Sequence, residues 1–200
     1  MPANKKLTTK EIALAICFTA LYAVFASIPI FQVLGMPSKY ITAAAITAPI
    51  IGILLGPYIG TLSATFGGAI SGIIASLCAG LLYEGKRIWC TLIYLSLLII
   101  LGFYPFIGSA WLFPLSMWFQ IVGLLILVSP LQSMAIKSLK SNDNSRFLLA
   151  FFIISLTSTL AGQISGSLVF MLISPVPVGG WFAFWQGLTF LYPGERTIIA

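Results

Sequence analysis

The sequence predicts an all-α, polytopic membrane protein with about six transmembrane helices and one extra short apolar segment near residues 89–104. Three observations predict this class. Hydrophobic residues make up 60% of the 200-residue chain and charged residues only 7%, whereas about 25% of residues are charged in a typical soluble domain. Apolar runs close to the ~20 residues that cross a bilayer recur along the chain. Polar and turn residues cluster between these runs without forming a soluble region, so we expect a single membrane domain over residues 1–200.

The first half of the chain predicts three helices. The first covers residues 11–30, with Thr8 and Thr9 as candidate caps. Its apolar run is too long for the hydrophobic region of a signal peptide, so we expect a retained helix. The second covers residues 40–55 and ends at "GPYIG", residues 56–60, because Gly and Pro together interrupt helices. The third is expected over residues 61–82.

The second half contains four further apolar runs, at residues 89–104, 112–136, 147–173 and 181–200. The first of these is the shortest. The most polar stretch of the chain, "KSLKSNDNSR", follows the second run. The last run is broken by a Pro-Gly pair, and a helix that begins near Tyr192 has fewer residues left than the ~20 a crossing needs. We therefore expect the final span to be truncated.

The basic residues test the orientation, because short cytoplasmic loops are rich in Lys and Arg. If every apolar run spans from a cytoplasmic N-terminus, Lys86, Arg87 and the basic residues of 137–146 all fall outside. If residues 89–104 are re-entrant or lie on the surface, residues 137–146 return to the cytoplasm and only Lys39, Lys86 and Arg87 face out. We prefer this second arrangement. A seven-span arrangement with an external N-terminus leaves three lysines on the wrong side. The net charge of +6 is then explained by topology and anionic lipids, not by nucleic acid.

The residue types argue against catalysis. The chain has no histidine, no carboxylates close together in sequence and no nucleotide-binding or phosphate-binding glycine motif. Its three cysteines are scattered through apolar runs, which disfavours a disulfide framework or a metal cage. We expect no enzymatic activity, no metal, no cofactor and no ATP hydrolysis. The predicted helices carry no acidic residue away from their ends, which weakens an ion-coupled mechanism, although carbonyls and serines can bind sodium.

What remains is capture of a small molecule. Aromatic walls with a few polar groups suit a planar organic ligand, and arginine can hold a carboxylate in a bidentate grip. The aromatic residues could instead form an interfacial belt, and a buried glutamine could bind a neighbouring helix. The candidate substrate-binding residues are Tyr40, Gln163, Trp181, Trp185, Gln186, Glu195 and Arg196.

The first helix carries small residues at close to helical spacing. Such rows let a second helix approach closely, either from a partner subunit or from elsewhere in the chain. The candidate docking residues are Ala13, Ala15, Cys17, Thr19 and Ala23.

Two stretches, "LTTKEIALAICFTALYAVFASIPI" and "ITAAAITAPIIGILLGPYIGTLSATFGGAISG", resemble the first three helices of the substrate-binding S components of energy-coupling factor (ECF) vitamin transporters. In that family a first helix rich in small residues leads to a short loop. A second helix then ends in a Gly-Pro break before a glycine-rich third. The segment "YPGERTIIA" is similar to the start of the sixth helix in some members. The resemblance covers most of the chain.

The resemblance implies a six-helix protein of the cell membrane with a cytoplasmic N-terminus, which captures a vitamin, a precursor or a metal at the outer face. Uptake would be driven by a transmembrane T component and two cytoplasmic ATPases, with the first helix docking against the T component. The strict Ala-xxx-Ala form of the docking motif is absent, and no histidine-rich N-terminus points to the cobalt and nickel branch. Two alternatives stay open: a stand-alone solute carrier or channel, and a non-catalytic subunit of a larger membrane complex.

Overall fold

The computed structural model describes residues 8–32, 40–67, 70–103, 117–173 and 180–200. These residues are mostly helical, which confirms the all-α class, with one short antiparallel strand pair. In chain order the elements are α1 (Thr9–Ala26), β1 (Pro29–Gln32), β2 (Tyr40–Thr42), α2 (Ala44–Gly67), α3 (Ile70–Tyr83), α4 (Arg87–Phe103), α5 (Trp118–Val128), α6 (Pro130–Ser138), α7 (Asn144–Ile173), α8 (Trp181–Leu188) and α9 (Leu191–Ile199).

α1 begins at a capping box, as the sequence predicts for Thr8. The Thr8 hydroxyl accepts a hydrogen bond from the Glu11 backbone N–H at 3.3 Å, and the Glu11 carboxylate accepts one from the Thr8 N–H at 2.8 Å. The helix ends at Ala26, earlier than residue 30, because β1 and β2 pair there. The Ala43 N–H donates to the Ile28 carbonyl at 2.9 Å, which joins the end of α1 to the start of α2.

α2 reverses direction at Gly56. The Gly56 dihedrals are φ 77° and ψ 175°, a conformation that residues with a Cβ avoid. A Cβ placed on Gly60 would lie 3.0 Å from the Cα of Gly52, whereas a continuous helix would separate these positions by about 12 Å. The halves 44–55 and 57–67 therefore pack against each other. The break predicted at residues 56–60 is confirmed, at Gly56, and Pro57 opens the second half where its missing N–H costs little.

α3 packs against both halves of α2. A side chain at Gly52 would clash with the backbone of Ser76, and one at Gly80 would clash with the backbone of Pro57. These glycines allow the backbones of α3 and of the two halves of α2 to come into direct contact. The single third helix expected over residues 61–82 is wrong, since this stretch is divided between the second half of α2 and α3.

The second half of the chain is built around α7, whose 30 residues include a long buried stretch. α4 is a continuous helix whose buried face includes Cys90 and Tyr94, and the Tyr94 hydroxyl donates to the Gln120 carbonyl of α5 at 2.8 Å. The segment near 89–104 is thus a packed bundle helix, not a surface-lying one. α5 and α6 meet at a bend of 67°.

By length and composition alone, three described helices could cross a membrane, namely Thr9–Ala26, Ala44–Phe66 and Asn144–Ile173, although the reversal at Gly56 divides the second of these. The bent pair α5–α6 would be a fourth. These helices support a membrane-embedded, multi-pass protein. The expectation of six spans stays a prediction.

Contacts between helices show which chain segments share an end of the bundle. α3 and α7 are antiparallel, because Ser71 lies against Gly166 and Ala75 lies against Gly162. The end of α3 and the start of α7 therefore lie at the same end, which we call the basic end. The start of α1 points to this end too, since the β1–β2 junction ties the other end of α1 to the start of α2.

The basic end collects most of the positive charge of the described residues. It carries Lys10 at the start of α1, Lys86 and Arg87 after α3, and the basic residues of 137–146. The expectation that Lys86 and Arg87 face the side opposite to residues 137–146 is wrong. The physical reason is the reversal at Gly56, which adds one change of chain direction before α3. The end of α3 therefore lies at the basic end, and the charge rule no longer requires a re-entrant segment at 89–104.

Candidate functional site

A small cavity lies where α2, α3, α7 and α9 meet. Its volume of about 20 Å³ is enough for one water-sized group, since roughly 10–15 Å³ is the minimum for a water. The cavity is lined by Ala45, Ala48, Ser71, Gly72, Ala75, Thr159, Gly162, Gln163 and Arg196. Most of these residues are small, so the space is bounded largely by backbone and methyl groups.

Close packing of α3 against α7 shapes the cavity. A Cβ on Gly162 would clash with the Ser71 carbonyl and lie 3.0 Å from the Cβ of Ala75. Only glycine at this position lets the two helices come so near. The Thr159 hydroxyl donates to the Ser155 carbonyl at 2.8 Å within α7, so its hydrogen is already used. The cavity therefore has few polar groups directed at it from α7.

Gln163 is the polar exception. Its side chain is only 4% exposed, and neither Oε1 nor Nε2 has a hydrogen-bond partner among the described residues. A primary amide offers two donor hydrogens and one acceptor oxygen. Leaving such a group buried without partners costs about 1–3 kcal/mol. A molecule in the cavity that hydrogen-bonds the amide would recover this energy.

Arg196 brings a positive charge to the same cavity from α9. Of the candidate substrate-binding residues, Gln163 and Arg196 are the two that the structure brings together. They are 33 positions apart in the sequence and meet because α9 packs back against α7. The side chain of Glu195 falls outside the described part of the chain.

The remaining candidates do not line this cavity. Trp181 and Trp185 are buried, at 3% and 7% exposed, and stack with their ring centroids 6.4 Å apart. Phe170 and Phe184 pack edge-on against this pair. Tyr40 and Gln186 are exposed, on β2 and α8.

The small-residue row of α1 divides between two faces. Ala15 and Thr19 face α2, where the Ser63 hydroxyl donates to the Ala15 carbonyl at 3.4 Å. Ala13, Cys17 and Ala23 are exposed. Tyr22 is the buried residue of α1. Part of the row thus serves packing within the chain, and the rest is open to lipid or to another protein.

The sequence analysis missed a polar network at the basic end. Arg87 donates to the Val128 carbonyl and to the Ser133 hydroxyl, the latter at 2.5 Å, and so holds the bend between α5 and α6. A cation is favourable at the C-terminus of α5 because the helix dipole is negative there. The signal for this network was the apparent violation of the positive-inside rule at residues 86–87.

Lys86 anchors the neighbouring turn. Its ammonium group lies 2.6 Å from the Glu84 carboxylate and 5.7 Å from the centre of the Tyr58 ring. The hydrogen bond with Glu84 raises the pKa of Lys86, so the amine stays charged throughout the neutral range. The turn after α3 is thereby attached to the reversal in α2.

Comparison of the chain with protein-family models, with curated proteins and with solved structures found no match. Within the described ranges, no three His, Cys, Asp or Glu side chains are grouped so that they could hold a metal ion. What the chain does is therefore inferred from its own residues and their arrangement.

Proposed function

We propose that this protein is a membrane-embedded subunit that captures a small solute, as the substrate-binding S component of an ECF-type vitamin or micronutrient transporter. The observation that supports it is the buried amide of Gln163, without a hydrogen-bond partner among the described residues, at a cavity that also carries Arg196. Polar groups inside a membrane protein are costly and are commonly retained for function. A packing role alone would be served better by an apolar side chain.

The cavity accommodates one polar group of the solute, not a whole vitamin. Pockets for organic ligands are usually about 300–1,000 Å³, far larger than the cavity of about 20 Å³. A larger ligand requires one wall to move. α9 is the shortest of the four helices around the cavity, and it carries Arg196. We therefore assign to α9 the movement that admits the rest of the solute.

Energy for uptake comes from partner subunits in this proposal. The sequence has no phosphate-binding loop and no histidine, and the described lining residues of the cavity include no acid that could carry a proton. A T component and two cytoplasmic ATPases would supply ATP hydrolysis. Ala13 and Cys17, which are exposed and one turn apart on α1, are the proposed docking face, because small residues at this spacing permit close helix approach. Ala23 is also exposed but lies on the row of Ala15 and Thr19.

The basic end is placed in the cytoplasm of the cell, following the positive-inside rule. The protein has six spans if α2 is a re-entrant hairpin that enters and leaves the membrane on the same side. The spans would be α1, α3, α4, the α5–α6 pair, α7 and the segment that contains α9. α3 has 14 residues and extends about 21 Å, so local bilayer thinning or extension of Lys86 to the interface would complete its crossing.

Mass spectrometry of small molecules that remain bound through purification tests the proposal. Wild type should carry one predominant solute, Gln163→Leu should lose it, and Gln132→Leu should retain it. Gln132 is the matched control because its amide is also buried and has no hydrogen-bond partner among the described residues, but it lies on α6, away from the cavity. The proposal is contradicted if wild type carries no solute, or if the purified chain alone in vesicles concentrates a solute against its gradient or turns one over.

A further inference from the structure

We propose that the cavity between α2, α3, α7 and α9 binds a negatively charged group, most simply a carboxylate, so that the captured solute is an acid. This inference rests on the proposed function, because it names the chemical class of the ligand for the same site. Three independent features of the described residues carry it: the charge around the cavity, the helix ends that meet there, and the amide of Gln163.

The charge around the cavity is positive. Arg196 lines it and brings a positive charge. No described lining residue is acidic. Three of the four acidic residues lie elsewhere, at the basic end: Glu11 is bound to Thr8, Glu84 to Lys86 and Asp143 to Arg146. The side chain of the fourth, Glu195, lies outside the described part of the chain.

Two helix N-termini add to this potential. α2 and α3 are 24 and 14 residues long, and their first turns contribute Ala45, Ser71 and Gly72 to the lining. The N-terminus of a helix carries about half a positive charge and presents backbone N–H groups. An anion at such a position accepts those hydrogen bonds. Ala45 has only a methyl group to keep a ligand from the backbone, whereas the Tyr22 hydroxyl packs directly against Gly72.

Gln163 supplies an independent indication that the cavity binds a polar group. Its amide is more than nine-tenths buried, lines the cavity and lacks partners for both polar atoms among the described residues. The Nε2 group can donate to a carboxylate oxygen that also faces the guanidinium of Arg196. A carboxylate oxygen is close in size to the one water-sized group that the cavity admits.

Other ligand groups fit these features less well. A cation would be repelled by the positive charge of Arg196. A neutral carbonyl would satisfy the Gln163 amide but would gain only a weaker bond from Arg196, because charge-assisted hydrogen bonds are roughly twice as strong as neutral ones. The site should therefore discriminate between an acid and its amide.

Acetate and acetamide form a probe pair that differs chiefly in charge. Thermal unfolding of the wild-type chain in lipid nanodiscs should be measured with each probe at constant ionic strength, with a bulky sulfonate that carries no carboxylate as the bulk anion. Because acetate has only four heavy atoms, we expect a Kd on the order of 1 mM. At tenfold excess over Kd, acetate should raise the Tm by roughly 3–5 °C, and acetamide should not raise it.

Variants of the lining residues test whether acetate binds in this cavity. Gln163→Leu and Arg196→Gln should each weaken acetate binding by about tenfold or more, the loss of one charge-assisted bond. Gln132→Leu should keep the acetate Kd within twofold. The inference is overturned if acetamide stabilises the wild-type chain as well as acetate does, or if Gln163→Leu and Arg196→Gln both retain the acetate response. The wild-type comparison decides the matter even if a variant does not fold.

Failure here is distinguishable from failure of the proposed function. If a neutral or cationic solute is retained through purification and is lost in Gln163→Leu, solute capture stands and the anion inference falls. If acetate binds as expected but purified wild type carries no solute, the anion site stands and the capture function falls.

Discussion

Replacing Gly56 by alanine tests the reversal in α2, because the hairpin and a continuous helix predict opposite signs. At φ 77° and ψ 175°, a residue with a Cβ pays about 1–3 kcal/mol in backbone strain. The nearest atom to the new methyl group is Glu84 Oε1 at 3.6 Å, an ordinary contact, so sterics add nothing. Gly56→Ala should therefore lower the free energy of unfolding by about 1–3 kcal/mol.

A continuous α2 would respond differently, since Gly to Ala within a helix stabilises by about 0.5–1 kcal/mol. The assay is thermal unfolding in nanodiscs, where the expected loss corresponds to roughly 2–12 °C in Tm for a chain of this size. Gly187→Ala is the control, because this glycine lies in α8 with nothing within 4 Å of a new Cβ. It should be neutral or mildly stabilising. An increase in Tm for Gly56→Ala would refute the reversal.

Three further predictions concern the rest of the bundle. Gln132→Leu should raise the free energy of unfolding by about 1–3 kcal/mol, because it removes a buried amide without partners; a lower Tm in nanodiscs would contradict this. Arg87→Gln should lower the free energy of unfolding by about 1.5–3 kcal/mol, because the variant loses the hydrogen bonds to α5 and α6. The control Arg146→Gln should change it by less than about 1 kcal/mol, because the Arg146 side chain is 74% exposed. Equal Tm values for the two variants would argue against the network. A lipid-soluble maleimide should label exposed Cys17 but not buried Cys78 in the folded protein. Labelling is followed by the mass of the intact protein. Equal labelling rates for the two cysteines would show that α3 is not packed as described.

Local features were predictable from the sequence because they depend on local physics. The cap at Thr8 follows from a Thr that precedes Glu11 by three positions. The break at Gly56 follows from a Gly-Pro pair inside an apolar run. Composition and the lengths of the apolar runs predicted a helical chain that is apolar enough for a membrane. None of these features depends on distant parts of the chain.

The direction of the chain after Gly56 could not be predicted in the same way. A Gly-Pro pair indicates that a helix is interrupted, but not by what angle. The reversal depends on the close approach that Gly52, Gly60 and Gly80 permit between segments. The charge rule did carry a warning, because Lys86 and Arg87 fell on the wrong side. The conflict with the charge rule was attributed to residues 89–104, whereas in the structure the additional change of direction lies in α2.

The candidate site was predictable in its residue types but not in its grouping. Gln163 is conspicuous as an amide within an apolar run, and Arg196 as a cation in the last one. Their meeting depends on the contact of α3 with α7 at Gly162 and on the return of α9, both long-range events. The aromatic residues are the opposite case: Trp181 and Trp185 were conspicuous in the sequence, but they stack on each other and do not line the cavity.

We propose that this chain holds a solute through Gln163 and Arg196 but cannot drive its uptake. Once mass spectrometry has identified the solute, its accumulation should be measured in vesicles that contain the chain alone or the chain with its co-purified ATPase partners. We expect no accumulation by the chain alone, ATP-dependent accumulation by the assembly, and none by an assembly that carries Gln163→Leu. Accumulation by the chain alone, or unchanged accumulation with Gln163→Leu, would contradict the claim.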